Sequence, residues 1–272
     1  MKFKTIFILF NIVIILAFLI VYFMPIAILG FEYARVFWSK NWFLPLVFFL
    51  IIGILNFYFI QNWRLFQLME REDWDGIVEY LEDKIFRKKI VGNQPIRILI
   101  NAYFVKSNLQ GIENIEAHLR EKKPEAIARF AIPLGIPYLL KNDPPEMEQY
   151  FGRLRERTRG NTRNWMSWNY AFSLMMAKKR EKALEILVDL NNRVKEPVLK
   201  LLTLYLLDAF SSADKEIKNI VEDGKNRLKK HFNSDSWERE LAKSKANIQV
   251  IILGKLIQEA AKWGLNFNGS SL

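Results

Sequence analysis

The sequence contains no cysteine and only two histidines among its 272 residues. Without cysteine, the chain can form no disulfide bond and offers neither a thiol nucleophile nor a thiolate ligand for zinc. The histidines, His118 and His231, are far apart in the sequence, and neither has a second histidine nearby. These absences argue against a metal site, and we expect no cofactor.

Motifs for phosphate transfer and dinucleotide binding are missing as well. Neither GxxxxGK nor GxGxxG occurs anywhere in the chain. Carboxylate pairs such as Glu70/Asp73 and Glu79/Asp83 do occur at helical spacing. Charged helices carry such pairs on their solvated faces, so the pairs indicate no catalytic site. We predict that the protein is not an enzyme.

Charged residues are absent from two long stretches near the N-terminus, residues 5–31 and 41–63. Their lengths are 27 and 23 residues, and about 20 apolar residues cross the hydrocarbon core of a bilayer. The first stretch is too long for the apolar region of a cleaved signal peptide, and no small-x-small site follows it. We therefore predict a transmembrane hairpin over residues 1–63, with spans at about 5–30 and 42–63.

The cations that flank these spans predict their orientation. Lys2 and Lys4 precede the first span, whereas the intervening loop FEYARVFWSK holds only Arg35 and Lys40. Six cations follow the second span within about 25 residues: Arg64, Arg71, Lys84, Arg87, Lys88 and Lys89. By the positive-inside rule, both termini are expected in the cytoplasm, most simply at a bacterial inner membrane.

Each predicted span carries one asparagine near its cytoplasmic end. Asn11 lies six positions inside the first uncharged stretch, and Asn56 lies seven positions from the end of the second. In an antiparallel hairpin they reach similar depths, where their amides can hydrogen-bond across the helices. The alternative is that each amide simply reaches toward the headgroups.

After residue 63 a pattern of apolar residues recurs with a nearly constant period. The segments EDWDGIVEYLEDK, SNLQGIENIEAHL, NDPPEMEQYFGRL, AKKREKALEILVDL and SADKEIKNIVEDG align, and their equivalent positions are 35, 35, 36 and 34 residues apart. Those positions are Ile77, Ile112, Met147, Ala183 and Ile217. A fixed period of this length is typical of stacked helical hairpins.

An upstream helix precedes most of these segments, with Leu99, Leu134, Tyr170 and Leu204 each thirteen residues before the aligned position. The arrangement resembles the tetratricopeptide repeat superfamily over residues 57–232. The fourth copy, NWMSWNYAFSLMMAKKREKALEILVDL, is the most similar, since Ala171 and Ala183 occupy the small positions where paired helices meet. Gly135 occupies the position of Ala171 in the preceding copy. The resemblance implies an α-solenoid that binds segments of other proteins.

The remaining copies depart from that family in two ways. Ile112, Met147 and Ile217 stand where the family prefers alanine, which predicts more widely spaced helices. Pro133 and Pro137 lie within AIPLGIPYLL, where an interior proline costs roughly 3 kcal/mol of helix stability. We expect a kink or break there. We also expect the second span to run directly into the first repeat.

Residues 233–272 are expected to form a long C-terminal capping helix and a tail. In DSWE, Asp235 is a candidate N-cap with Glu238 three residues later, and the helix is predicted over about 237–263. Its middle, IQVIILGKLI, is apolar nearly all round. The helix is therefore expected either to fold back on the repeats or to cover a neighbouring protein. The predicted fold is all-α, with the hairpin, about five repeats over 64–232 and this helix.

The net charge is +11, and most of the excess lies beyond the spans: residues 64–272 hold 36 basic and 28 acidic residues. The densest cluster is FGRLRERTRGNTR, which contains Arg153, Arg155, Arg157, Arg159 and Arg163. Cations near a helix C-terminus also complement its dipole, which is one explanation for them. The other is contact with an anionic partner, either lipid headgroups or an acidic protein segment.

These features predict a membrane-anchored adaptor or scaffold at the cytoplasmic face, mediating protein–protein interactions within a larger membrane complex. One alternative is an auxiliary subunit of a membrane enzyme or transporter, recognised through its spans. A third is an RNA-binding helical repeat protein. We expect no nucleic-acid partner, because the repeat columns are apolar or irregular where base-reading side chains would have to recur.

Overall fold

The computed structural model describes residues 3–88 and 92–265. Within them every regular element is a helix, and contacts divide the chain into two compact units, Met1–Pro95 and Ile96–Leu272. In chain order the α-helices are α1 Phe3–Lys40, α2 Phe43–Gln61, α3 Trp63–Glu70, α4 Trp74–Glu82, α5 Asn93–Val105, α6 Leu109–Lys122, α7 Pro124–Arg129, α8 Ala131–Lys141, α9 Pro144–Arg157, α10 Gly160–Met176, α11 Arg180–Arg193, α12 Pro197–Asp208, α13 Lys215–His231, α14 Ser234–Ser244, α15 Ile248–Ile252 and α16 Gly254–Leu265. A π-helical turn, Asp83–Arg87, directly follows α4.

The first unit begins with two apolar helices. The segments Phe3–Ile28 and Phe43–Gln61 are long and apolar enough to cross a membrane, and no residue of α2 is buried within the protein. Phe18 stacks on Phe48 with ring centroids 4.0 Å apart, and the ring centroids of Phe7 and Phe59 are 5.4 Å apart. Residues later in α2 therefore contact residues earlier in α1, so the two helices are antiparallel.

The segment between the two spans is helical rather than the loop expected from the sequence. It forms the last part of α1, after a break at Gly30, whose φ of 80° suits glycine and few other residues. The rings of Tyr22 and Trp38 then stack at 4.5 Å. In a straight helix, residues sixteen positions apart, such as Tyr22 and Trp38, would be separated by about 24 Å. Their ring centroids are only 4.5 Å apart, so the chain folds back at Gly30.

One residue, Asn62, lies between the second apolar helix, α2, and the next helix, α3. The Asn62 N–H donates to the Tyr58 carbonyl, and the Phe66 N–H donates to the Asn62 carbonyl. Asp73 then caps α4 by accepting a hydrogen bond from the Gly76 N–H at 2.9 Å. α3 and α4 pack together, with Leu65 and Ile77 buried.

In the second unit the helices from α8 to α13 pack on their neighbours in the chain, with close contacts from α8 to α9, α9 to α10, α10 to α11 and onward to α13. α10 is central, since every residue from Trp165 to Ala171 is buried. α12 is similar, with eight of its twelve residues buried. A helix that is buried all round must be covered on every side by other helices.

The prolines near residue 135 do not break the helix in which they lie, contrary to the expectation from the sequence. α8 contains both Pro133 and Pro137, and the break falls earlier, at Phe130 between α7 and α8. Pro133 is the third residue of α8, where a backbone N–H has no partner within the helix. Its cost there is therefore small.

The predicted long C-terminal helix is wrong: the chain forms three shorter helices, α14, α15 and α16. The cap also differs, because Asn233 and not Asp235 precedes the first helix and exchanges hydrogen bonds with Ser236 in a capping box. These helices fold back on the earlier ones, with α15 against α8, α14 and α16 against α12, and α16 also against α13. Val250 and Ile257 are buried there.

Candidate functional site

The five arginines of the segment FGRLRERTRGNTR lie where α9 ends and α10 begins. Arg153, Arg155 and Arg157 are on the last turns of α9, Arg159 is the N-cap residue of α10, and Arg163 lies in the first turns of α10. Between the helices, Thr158 is buried and donates its hydroxyl to the Leu154 carbonyl. The structure divides these five arginines among three different environments.

Arg153 belongs to an ion-pair network around a buried carboxylate. Glu116 of α6 is only 3% exposed, and it accepts hydrogen bonds from Arg120 and, at 2.8 Å, from the Tyr138 hydroxyl. Arg153 Nη2 lies 3.7 Å from the same carboxylate. Tyr138 in turn stacks on Tyr150, with ring centroids 4.4 Å apart. Arg153 therefore has a structural partner within the protein.

This network forms one wall of a cavity of about 420 Å³ between α6, α8 and α9. The charged side chains that line the cavity are balanced, since Arg120, Lys141 and Arg153 face Glu113, Glu116 and Glu146. Lys141 forms an ion pair with Glu113 at 2.6 Å. Burial, followed by the hydrogen bond to Glu116, raises the pKa of Tyr138 well above its ordinary value, so the phenol stays protonated. The cavity is consistent with an ion-pair network that supports packing.

Arg155 and Arg163 lie in a second environment, which they share with Arg193 near the end of α11. The pKa of Arg193 is lowered, first by burial; the charge of Asp189 acts against this shift, and the nearby charges of Arg163 and Arg155 add to it. Three cations from three successive helices thus approach one another. We refer to Arg155, Arg163 and Arg193 as the arginine cluster.

Few acceptors face the arginine cluster. Arg193 donates to the Ser167 hydroxyl at 2.8 Å and lies 3.3 Å from Asp189, while Arg155 lies 3.1 Å from its neighbour Glu156. Both carboxylates are mostly exposed, at 61% and 64%, so water screens their charge. The Nε atoms of Arg163 and Arg193 are buried without a hydrogen-bond partner among the described residues. Such unpartnered donors favour an added anionic group.

Arg157 and Arg159 occupy the third environment and are simply exposed to solvent. The dipole explanation fits Arg157, which lies in the last turn of α9, and not Arg159, which is the N-cap residue of α10. The two also provide matched controls for any test of the arginine cluster, since they belong to the same stretch of sequence.

The structure brings together the two asparagines that the sequence singled out in the predicted spans. Asn56 Nδ2 donates to Asn11 Oδ1 at 2.9 Å, and each amide also donates to a backbone carbonyl four residues earlier. The two asparagine side chains are thus bonded to one another across the two apolar helices.

The residues proposed for repeat packing are all buried: Ile77, Ile112, Met147, Ala183, Ile217, Ala171 and Gly135. At Gly135 a Cβ atom would lie 2.8 Å from the Phe151 ring, so a side chain there would displace the ring. These positions hold helices together and are not available to a ligand.

No group of three or more histidine, aspartate or glutamate side chains that could hold a metal ion occurs within residues 3–88 and 92–265. The two histidines lie on different helices, α6 and α13. The His231 Nδ1 atom is 2.9 Å from the Arg227 carbonyl oxygen.

Sequence reasoning missed two features of this region. Arg193 lies thirty residues beyond the last arginine of the predicted segment, and its position at the end of a repeat was the one available signal. Four residues after the aligned positions stand Leu81, Glu116, Phe151, Leu187 and Val221, and Glu116 is the one polar residue among them. A polar residue at a buried position of this kind indicates a charged partner nearby.

The described residues define an all-helical protein that has two helices long and apolar enough to span a membrane. The chain belongs to a family described as uncharacterised Treponema protein, whose model matches residues 111–266 and so includes the arginine cluster. The chain is also 22% identical over 230 residues to an uncharacterized protein of Treponema pallidum (strain Nichols), which covers 80% of this chain and 73% of that protein. No solved structure matches the chain.

Proposed function

We propose that the protein is a membrane-anchored adaptor whose arginine cluster binds an acidic segment of a partner protein at the cytoplasmic face of a bacterial inner membrane. The observation that carries the proposal is the approach of Arg155, Arg163 and Arg193 with no buried carboxylate to neutralise them. Cations held together in this way bind carboxylates of a partner through charge-assisted hydrogen bonds. An acidic peptide supplies several such carboxylates.

The proposal includes a tetratricopeptide-like arrangement of the helical hairpins. Its support is that the five residues spaced 34 to 36 positions apart are all buried and that successive helices of the second unit pack on one another. Ala171 and Ala183 are both fully buried, as expected where paired helices approach closely. Arrays of this kind present extended surfaces to other proteins.

The partner is placed at the arginine cluster and not on the upstream helices that line the inner surface of such an array. Two of those helices, α8 and α12, are already covered by α14 to α16. Gln249 donates to Asn169, and Trp263 donates to Asp208 at 3.0 Å. The C-terminal helices are therefore held to the earlier helices by hydrogen bonds as well as by apolar packing. A partner at that surface would have to displace the C-terminal helices.

The alternative function, an auxiliary subunit recognised through its spans, has less support from the contacts. Asn11 and Asn56 hydrogen-bond to one another, so neither needs a polar partner from another membrane protein. In our proposal the two apolar helices act as the anchor, and cations near both of their cytoplasmic ends set the orientation. Lipid headgroups remain secondary ligands for the exposed arginines.

Crosslinking in native membranes tests the proposal. The tagged full-length protein would be compared with Arg155→Gln/Arg163→Gln and with Arg157→Gln/Arg159→Gln, which remove the same charge from the same segment. We expect protein crosslinks on residues 150–195 that are lost in the first variant and kept in the second. Circular dichroism would establish that both variants keep their helices.

Three results would contradict the proposal, either for the arginine cluster or for the adaptor as a whole. Equal loss in both variants would mean that net charge, not the arginine cluster, attracts the partner. Crosslinks confined to residues 3–61 would favour the auxiliary subunit. Crosslinks to lipid alone, with none to a protein, would contradict both the adaptor and the auxiliary subunit.

A further inference from the structure

A second cavity, of about 460 Å³, lies between α11, α12 and α13, and neither the sequence nor the proposed function assigns it a role. Its volume falls within the range of roughly 300–1,000 Å³ typical of small-molecule sites. Ile220, Leu228 and Phe232 form an apolar part of the wall. The cavity is separate from the arginine cluster, because none of the three clustered arginines lines it.

The polar part of the wall is strongly basic. Lys195, Lys200 and Arg227 face the cavity and Asp223 is the one carboxylate in its lining, so the lining has a formal excess of two positive charges. This contrasts with the cavity beside Glu116, where cations and carboxylates are balanced. A cavity that concentrates positive charge attracts anions.

Lys200 is the most enclosed of these cations. It is half-buried on the first turn of α12, and its ammonium group donates to the Asn191 backbone carbonyl at 2.5 Å rather than to a carboxylate. Burial and the charge of Arg227 lower its pKa, which shows that its surroundings do not compensate its charge. A negatively charged ligand would supply that compensation.

Asn191 gives a second, independent observation about this cavity. The residue is only 9% exposed and lines the cavity, yet its side-chain oxygen has no hydrogen-bond partner in the part of the chain that the structure describes. A buried polar atom without a partner is costly and rare in native proteins. A hydroxyl or similar donor on a ligand would satisfy it.

We propose that this cavity binds the phosphate monoester of a small organic molecule, with Lys200 and Arg227 contacting the phosphate oxygens. A phosphate monoester carries about −1.5 to −2 charges at pH 7, which matches the two excess positive charges better than a carboxylate does. The apolar wall accommodates the organic group, and Asn191 accepts a hydrogen bond from it. This inference is independent of the adaptor proposal.

The test uses full-length protein in nanodiscs of phosphatidylcholine and phenyl phosphate as the probe, with calorimetry as the measurement. Inorganic phosphate lacks the organic group, and benzoate replaces the phosphate by a single negative charge. We expect phenyl phosphate to bind more tightly than both. No binding of phenyl phosphate, or binding of benzoate that is equally tight, would overturn the proposal.

Four variants locate the site. Lys200→Gln and Arg227→Gln each remove a charge-assisted hydrogen bond, so we expect binding about tenfold weaker in each. Lys200→Arg keeps the charge and should keep most of the affinity, which separates loss of a ligand contact from loss of the fold. Lys218→Gln, an exposed position on α13, is the matched control and should leave affinity unchanged. An equal loss in the control would show diffuse attraction of anions and no site.

Soluble metabolites and lipid headgroups both carry phosphate monoesters, and two further nanodiscs distinguish these sources. Phosphatidic acid is a phosphate monoester, whereas phosphatidylglycerol is a phosphodiester in a similarly anionic surface. If phosphatidic acid alone weakens the binding of phenyl phosphate, the ligand is a lipid headgroup. If neither lipid does, the ligand is soluble. Double replacement of Arg155 and Arg163 should affect neither result, since those residues lie outside the cavity.

Discussion

Arg153 and Arg155 lie two residues apart on α9, yet they meet opposite electrostatic conditions. Arg153 lies 3.7 Å from Glu116, a carboxylate that is 3% exposed and also bound by Arg120 and Tyr138. Arg155 instead approaches two other cations and pairs only with an exposed neighbour. One arginine shares a buried carboxylate with Arg120 and Tyr138, and the other contributes to a local excess of positive charge.

The difference shows that a run of like charges in a sequence does not define one surface. Residues two apart on a helix point about 200° apart, so alternate arginines reach different neighbours. What distinguishes them is the presence of a buried counter-charge on the adjoining helix. Removing that counter-charge should therefore have the largest effect on stability.

Glu116→Ala is expected to lower the free energy of unfolding by about 2 kcal/mol, because it leaves the Tyr138 hydroxyl without its acceptor and two arginines without their shared partner. The partial exposure of both arginines keeps the loss below that of a fully buried pair. Urea unfolding of the full-length protein in detergent measures it. Glu185→Ala, at an exposed position of α11, should cost less than about 0.5 kcal/mol. Equal losses would remove the distinction between buried and exposed carboxylates.

The second-largest effect should come from alkaline pH, which lowers the stability contributed by the tyrosines beside Glu116. Burial raises the pKa of Tyr150, which is 2% exposed, so the folded protein keeps this phenol protonated after the unfolded chain begins to ionise near pH 10. The stability it contributes is complete below pH 10 and falls as the pH rises above it, by about 1 kcal/mol at pH 11. Half-buried Tyr138 adds a smaller loss of the same sign.

Unfolding curves between pH 8 and 11 measure this effect in wild type and in Tyr150→Phe. The variant loses its hydrogen bond to the Ala131 carbonyl at every pH, so the comparison rests on the slope with pH and not on absolute stability. The slope should be shallower in the variant. An unchanged slope would show that the phenol is not the group that titrates.

Charge removal should have opposite signs at the two arginine environments. Arg153→Gln is expected to lower stability by up to about 1 kcal/mol, because Glu116 loses a partner. Arg163→Gln is expected to leave stability unchanged or to raise it by a few tenths of a kcal/mol, since it relieves repulsion from Arg193. Thermal unfolding of both variants under identical conditions measures the difference. Equal destabilisation would mean that the arginine cluster has a counter-charge after all.

Salt should produce the smallest effect. Raising sodium chloride from 0.05 to 0.5 M screens the repulsion within the arginine cluster, so wild type should gain a few tenths of a kcal/mol. The gain should be smaller in Arg163→Gln, where part of the repulsion is already gone. The assay requires a phosphate-free buffer, so that no oxyanion binds the cationic cavity.

Much of the fold follows from the sequence because its signals are periodic. The two uncharged stretches became the two apolar helices, and the buried residues Ile77, Ile112 and Met147 recur at the period that the sequence shows. Helix boundaries were less predictable. Asn233 and Asp235 are both good caps, and it is Asn233 that forms the capping box, with Ser236.

The site was less predictable because it depends on contacts between distant residues. The segment around residue 157 identified Arg155 and Arg163, but nothing local connects them to Arg193. The same applies to the second cavity, where Asn191 and Arg227 meet across 36 positions of sequence. Helix packing determines which neighbouring helix a charged side chain faces, and a single sequence does not specify that packing.

The folding back of α14 to α16 has a consequence for the synthesis of the chain. Gln249 bonds Asn169 across 80 positions and Trp263 bonds Asp208 across 55, so the ribosome releases the covered helices well before it makes the helices that cover them. An ordinary repeat array can fold pair by pair as it emerges. Here the surfaces of α8 and α12 stay open until α14 to α16 have been made. A premature stop near residue 233 would release a chain with that apolar surface exposed, which favours aggregation and proteolysis.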